Sequence, residues 1–491
     1  MPPAIASFRN SYATLPERFF TRQEPTPVSE PGLVALNQPL ADELGLALEH
    51  LSPQEITQIF CGNRVPHGAA CLSTAYAGHQ FGVFVPQLGD GRAILIGEIV
   101  DRSGARREIQ WKGTGRTRYS RGGDGRAALG PVLREYLVSE AMHALGIPTT
   151  RALAAVVTGE PVFRERPLPG AVLTRVAASH VRVGTFQFFA ARGDQEAVQR
   201  LADYVIELRY PAARRSHHPY LALLQAVSLA QAELVARWMS VGFVHGVMNT
   251  DNMAVSGETI DFGPCAFMEG YDPQTVFSSI DGFGRYAYGR QPQAAHWNLA
   301  RLAESLLALI DADEERAVAL AKEAIGAFAP AFERAWLAAM RGKLGLAQER
   351  VEDAALVSEL LDLMHEGRAD FTLTFRRLAG AAAQGGDPGP RELFPDPSRY
   401  DAWAARWRSR LAQEARAPQE AALDMLACNP AYIPRNHRVE QALQAAEDGD
   451  FGPFRELQRV LARPYEERER DRAYSLAAAP GEVVERTFCG T

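Results

Sequence analysis

The sequence predicts an α+β fold in which a β-rich N-terminal lobe precedes a helical C-terminal lobe. Three observations carry that reading. Through residue 184, short apolar runs alternate with glycine-containing turns, the pattern of strands joined by hairpins. From Thr185 onward, apolar residues recur at helical spacing, with Ala- and Leu-rich stretches such as residues 299–329. The third is the loop Val244-His245-Gly246-Val247-Met248-Asn249-Thr250-Asp251-Asn252, followed by Asp261-Phe262-Gly263.

A protein kinase writes its catalytic loop as H-R-D-x-x-x-x-N and follows it with D-F-G. His245, Asn252 and the D-F-G of this chain fall at that spacing, which makes the expected fold a bilobal, protein-kinase-like one. The kinase's catalytic Asp is absent, and Val247 stands in its place. The residues between Asn252 and Asp261 read as a tight hairpin, apolar arms around Ser256-Gly257-Glu258, which would bring Asn252 and Asp261 together. An amide oxygen and a carboxylate there are hard ligands suited to Mg²⁺ on nucleotide phosphates.

A nucleotide cradle is expected upstream. Gln87-Leu88-Gly89-Asp90-Gly91-Arg92 leads into a strand over 93–100, a turn at 101–104, and a second strand ending at Lys112. Glycines let the backbone approach phosphate oxygens, and a kinase keeps its phosphate-binding Lys on such a strand. Residues 113–130 are rich in Gly and Arg, including Asp124 and Gly125, and read as an anion cradle or as a solvated loop. Pro131 opens a helix expected over 132–145, whose Glu135 is the candidate ion-pair partner of Lys112. Strands over 151–158 and 171–177 follow across a proline-rich turn, then Arg175 and Arg182 near the lobe junction, where each suits phosphate or a structural ion pair. A long amphipathic helix over 221–241 leads into the His245 loop.

Three segments are expected: 1–184 as an N-terminal extension and N-lobe, 185–383 as the C-lobe, and 391–491 as a helical extension packed on the C-lobe. The stretch 384–390 (QGGDPGP) is the linker, and helices are expected over 400–414 and 437–461. Across 491 residues, 46% hydrophobic composition suffices for a substantial core. A net charge of −7 argues against a surface that coats nucleic acid. Five scattered cysteines without C-x-x-C pairs suit a reducing compartment and no structural zinc, and the His217-His218 pair has no acidic or Cys neighbours to make a metal site. No run reads as apolar enough to cross a membrane and no signal-peptide core is seen, so a cytoplasmic location is expected.

Several long motifs in fixed order closely resemble the selenoprotein O (SelO) family: Tyr76-Ala77-Gly78-His79-Gln80-Phe81-Gly82, the Gln87–Arg92 run, Gln110-Trp111-Lys112-Gly113, the His245–Asn252 loop and Tyr432-Ile433-Pro434-Arg435-Asn436-His437. The resemblance spans nearly the whole chain. It implies a kinase-like fold that binds ATP in a flipped orientation and transfers AMP, with pyrophosphate leaving, to Ser, Thr or Tyr hydroxyls of protein substrates. By motif it implies nucleotide contacts from Gly89, Gly91, Arg92, Lys112, Asp124, Gly125, Arg175, Arg182 and Asp261. It further implies Mg²⁺, or Mn²⁺ in its place, on Asn252 and Asp261, and proton acceptance by Asp251. Some members join an activation-segment cysteine to a C-terminal one. Here Cys489 matches the terminal position, but residues 271–277 hold no cysteine and Cys265 is the nearest candidate.

Ordinary phosphoryl transfer and a silent nucleotide-binding scaffold compete with that reading. Val247 opposes the first, and the complete set Lys112, Asn252 and Asp261 opposes the second. The cations are expected to meet phosphate and not the apolar core, so replacing Lys112, Arg175 or Arg182 should leave the fold intact.

Overall fold

The computed structural model describes residues 4–383 and 389–488. Most of the expected linker, and Cys489, lie outside the described residues. The N-terminal region is sheet-rich and the C-terminal region is helical. The strands are β1 (Phe20–Arg22), β2 (Gly32–Leu36), β3 (Leu72–Thr74), β4 (Gly78–Gln80), β5 (Val83–Val85), β6 (Ala93–Val100), β7 (Arg106–Lys112), β8 (Ala127–Ala128), β9 (Arg151–Phe163), β10 (Pro167–Ala177), β11 (Phe243–Val244) and β12 (Ala266–Phe267). The main sheet is antiparallel in the order β1-β3-β6-β7-β10-β9-β2, with β8 beside β10, while β4–β5 and β11–β12 are separate pairs.

The helices are α1 (Gln38–Leu44), α2 (Pro53–Phe60), α3 (Leu129–Ala144), α4 (Val183–Ala190), α5 (Gln195–Arg209), α6 (Pro219–Ser240), α7 (Gln291–Ile310), α8 (Glu314–Gly326), α9 (Phe328–Lys343), α10 (Asp353–Gly367), α11 (Phe371–Ala383), α12 (Pro397–Leu411), α13 (Pro418–Cys428), α14 (Asn436–Glu447) and α15 (Gly452–Leu461). The central strands are apolar on both faces because both faces are covered. Ala152, Ala155 and Leu173 pack with Leu133, Tyr136 and Leu137 of α3. Leu153, Val156, Val172 and Val176 turn the other way, onto Leu40, Ile59 and Phe60 of α1 and α2. Burial on two sides replaces alternation with continuous apolar runs, which is why β9 and β10 read so plainly.

Four expectations change. Helix α3 begins at Leu129, not at 132, with Ala128 as an N-cap that makes no side-chain bond. The helical stretch 299–329 is broken after Ile310, where the Asp313 carboxylate accepts the Arg316 amide and starts α8. Residues 437–461 form two helices, because the chain turns at Gly449 with φ of 94°. Both pack on α3 of the sheet region, through Val439, Leu443, Leu457 and Val460, while Asn436 at the start of α14 exchanges hydrogen bonds with the Phe267 backbone, so their packing is not confined to the helical region.

The reading of the 221–241 segment also needs correcting on one point. Helix α6 is long and apolar enough to cross a membrane, although half of its apolar window is buried within the protein. Its Leu224, Val227, Leu234 and Val235 lie in one core with Leu299 and Leu302 of α7, as expected of a central helix in a folded domain.

Candidate active site

The β6–β7 hairpin aims Lys112. Asp101 closes its turn by accepting the amides of Ser103 and Ala105 at 2.9 Å each, and the register sets Ala93 opposite Lys112. Lys112 therefore ends its strand directly across from the Gly89-Asp90-Gly91-Arg92 turn. Its Nζ lies 2.7 Å from Glu135 Oε2 on α3 and 2.8 Å from Asp261 Oδ1.

Two more cations converge on the same carboxylate. Arg175, on β10 opposite Gln110, reaches Asp261 Oδ1 at 2.7 Å and Glu135 Oε1 at 3.1 Å. Arg182, just before α4, donates to Asp261 Oδ2 and, at 2.6 Å, to the carbonyl of Asp251. Burial raises the affinity of Asp261 for its proton, but Arg182, Lys112 and Arg175 together outweigh it and hold the group well below the usual carboxylate range. Asp261 also sits at φ of 63°, a left-handed conformation costly for a residue with a side chain and held by its surroundings.

The loop between Asn252 and Asp261 is not a paired hairpin. Ala254 bridges to Arg182 and Thr259 bridges to Thr149, so each arm joins a different neighbour. The arms are tied by Gly257 N donating to Ala254 O at 3.2 Å, and Asn252 and Asp261 still line one cavity. The Asn252 amide nitrogen donates to Val247 O at 3.0 Å, which leaves its oxygen as the group able to meet a cation. With the Asp261 carboxylate this makes two hard oxygen donors, a set that fits Mg²⁺ completed by phosphates and water.

His245 is a brace. It is fully buried, its Nε2 lies 3.0 Å from the Ile260 carbonyl, and its ring packs on Trp238. Val247 is buried and apolar where a kinase has its base. Asp251 is the carboxylate of this loop. Burial pushes it up to about 6, against the pull of Arg182. Its Oδ1 is buried and accepts no hydrogen bond among the described residues.

The Gly-Arg loop folds onto the Gly89–Arg92 turn. Thr117 Oγ1 donates to Asp90 O at 2.7 Å, Ser120 Oγ donates to Gly91 O, and the Tyr119 ring lies where a Gly89 side chain would be, 2.4 Å from an ideal Cβ. At Gly125, φ is 69° and a Cβ would fall 2.1 Å from Gly115 O, so only glycine fits. Asp124 faces Arg164, whose Nη1 lies 2.8 Å from Oδ2, and that pairing holds its pKa low.

Gly89, Gly91, Arg92, Lys112, Asp124, Gly125, Arg175, Arg182, Asp251, Asn252 and Asp261 thus line one cavity of about 670 Å³, a size that takes a nucleotide. The sequence reading missed Arg164, in the proline-rich turn between β9 and β10. It also missed Tyr76, whose ring lies 4.9 Å from the Arg182 guanidinium. The β4–β5 hairpin escaped it as well: His79 N donates to Thr250 Oγ1 at 2.7 Å and Phe81 N to Asn249 Oδ1 at 2.9 Å. Its only signal was the unexplained Tyr76–Gly82 run. Cys265 is buried, its Sγ 3.2 Å from Phe262 O.

Comparison with known proteins decides the family. The family model described as "Protein adenylyltransferase SelO" matches residues 4–462. The chain belongs to the SelO family. It is 61% identical to the "Protein nucleotidyltransferase YdiU" of Rhizobium meliloti (strain 1021), over 99% of each chain. The proteins of the same name from Rhodopseudomonas palustris (strain BisB5) and Rhizobium etli are each 59% identical, over 99% and 100% of this chain and 99% and 98% of theirs.

Proposed function

We propose that this SelO-family chain is a protein adenylyltransferase, moving AMP from ATP to Ser, Thr or Tyr hydroxyls of protein substrates. Membership in a family of protein nucleotidyltransferases, at 61% identity over the full length, supports the enzyme class. The observation that carries the chemical reading is the pairing of a buried valine at the kinase base position with a carboxylate, Asp251, four residues later. A nucleotide bound in the flipped orientation presents its α-phosphorus, and the kinase base position is then of no use.

In this reading the sheet region and the helical region are the two lobes of a kinase-like fold, with segments 1–184 and 185–383 meeting at the cavity. Gly89, Gly91, Arg92, Asp124 and Gly125 hold the nucleotide, with Asp124 turning between Arg164 and the ligand. Lys112, Arg175 and Arg182 neutralise the phosphates as pyrophosphate departs. Asn252 and Asp261 hold Mg²⁺, or Mn²⁺ in its place, which when bound offsets phosphate charge. Asp251 takes the proton of the acceptor hydroxyl as that oxygen attacks the α-phosphorus, and a pKa near neutrality suits a general base. The setting is cytoplasmic, and neither nucleic acid nor a membrane is a partner.

ATP labelled separately at the α- and γ-phosphorus tests this. Label is expected in protein from the α-position alone, with pyrophosphate released and an adenylate-sized mass gain. Transfer of γ-label would return the kinase reading.

A further inference from the structure

The Asp251 end of the cavity is bordered by a set of exposed apolar side chains that the nucleotide chemistry does not use. Gln80, Phe81, Asn249 and Ile280 form its wall there, and Ile280 is 60% exposed. Three residues on, Phe283 is 97% exposed at the tip of Gly282-Phe283-Gly284. Val83, at the turn of the β4–β5 hairpin, is also exposed, as is Phe488.

These side chains stand on segments that are pinned to one another. The Asp281 carboxylate accepts the amides of Arg285 and Tyr286 at 2.9 and 2.8 Å, closing the base of the Phe283 loop. The Phe81 ring lies 5.2 Å from that of Tyr286, and the Arg285 guanidinium packs on the hairpin turn at Gly82. On the other flank, Thr487 N donates to Phe277 O at 2.7 Å, and Ser279 N donates to Thr487 O at 3.0 Å. The Thr487 hydroxyl donates to Pro264 O at 2.5 Å. The phenyl ring of Phe283 is thus held out by a hydrogen-bonded frame, three residues from Ile280 of the cavity wall.

We propose that Ile280, Phe283 and the hairpin turn at Val83 form the docking surface for the target polypeptide, taking an apolar side chain next to the hydroxyl that is modified. The inference rests on the AMP-transfer reading of the same cavity. Its ground is continuity: a polypeptide that delivers a hydroxyl to Asp251 must lie across this rim, and Ile280 belongs to both the cavity wall and the exposed surface. Apolar contact of this kind sets which hydroxyls are used without touching the phosphates.

The test uses the full-length enzyme, α-labelled ATP and synthetic peptides carrying one central Ser, Thr or Tyr flanked by Phe, Leu, Gly, Glu or Lys. Wild-type enzyme is expected to prefer Phe or Leu flanks. Phe283→Ser and Ile280→Ser should each raise the KM for those peptides by about tenfold or more, and Phe283→Ser, which lies off the cavity wall, should leave the KM for ATP unchanged. Both positions are exposed, so loss of fold is not expected, and a thermal melt checks it. Peptide labelling that ignores the flanks, or a Phe283→Ser enzyme with wild-type peptide KM, overturns the docking surface. A concentration-dependent dimer abolished by Phe283→Ser would give the patch to a second copy of the chain and overturn it too. Absence of α-label on every peptide and protein acceptor would instead sink the AMP-transfer reading beneath it.

Discussion

Gly78 lies so close to Asp251 that a Cβ on the glycine would meet the carboxylate Oδ1 at 2.4 Å. The β4–β5 hairpin thus acts as a template for the loop that carries the proposed base. Gly78→Ala must push either the hairpin or Asp251 aside. A shift of about 1 Å in a reacting group can cost about 10²-fold in rate, so AMP transfer should fall by that order while ATP affinity holds. Steady-state transfer combined with ATP titration of the inactive enzyme checks it. A Gly78→Ala enzyme with normal kcat would show that the hairpin does not fix Asp251.

Asp251→Asn removes the proposed proton acceptor and keeps the shape. Loss of a general base commonly costs about 10²–10⁴-fold, and ATP binding should persist because Lys112, Arg175 and Arg182 are untouched. Val247→Asp restores the kinase letters but should not produce γ-phosphoryl transfer. Both variants are read with the two labelled ATPs. Near-normal α-transfer by Asp251→Asn, or robust γ-transfer by Val247→Asp, would overturn the flipped-nucleotide account.

The sequence made some of this site legible and hid the rest, for physical reasons. Lys112 and Glu135 could be paired in advance because a strand end and a carboxylate on the next helix follow local rules, although α3 starts at Leu129 and Glu135 falls in its second turn and not its first. Asn252 and Asp261 could be placed because few residues separate them, although their loop is held by Arg182 and Thr149 and not by its own pairing. The hairpin over the loop was invisible, since His79 and Thr250 meet across 171 positions. Nor does an amphipathic helix name its partner: the apolar faces of α14 and α15 are plain, but only the fold shows that α3 fills them.

The cations carry more of the fold than their chemistry suggested. Arg175 and Arg182 have side chains only 2% and 4% exposed, and both pair with buried or half-buried carboxylates. Removing one partner of a buried ion pair leaves an uncompensated charge and typically costs about 3–5 kcal/mol. Arg175→Ala is therefore expected to lower the unfolding midpoint without ATP as well as turnover, contrary to the expectation of an intact fold. Lys112→Ala, at a more exposed position, should cost less. Adding Glu135→Gln to Arg175→Ala should recover part of the loss. Wild-type chemical stability in Arg175→Ala would mean that these pairs contribute nothing to folding.

Far from the cavity, Lys343 at the end of α9 provides a pH-dependent measure of the helical core. Its Nζ lies 4.5 Å from the centre of the Phe375 ring and 5.5 Å from that of Phe371, and its residue is 3% exposed. Burial pushes its pKa down from 10.5 to about 8. Below pH 8 the lysine is charged in both folded and unfolded chains, so the full penalty of burying the charge is present and stability does not change with pH on its account. Between about 8 and 10.5 the folded chain has released the proton and the unfolded chain keeps it, so rising pH stabilises the fold through this group, by about 3 kcal/mol over the window. Tyrosines and cysteines titrate nearby, so the measurement is the difference from Lys343→Met, which keeps the apolar stem and loses the charge. The variant should be more stable than wild type at pH 7, and the gap should close by pH 10.5. A gap that stays constant across that range would show that Lys343 keeps its ordinary pKa in the fold.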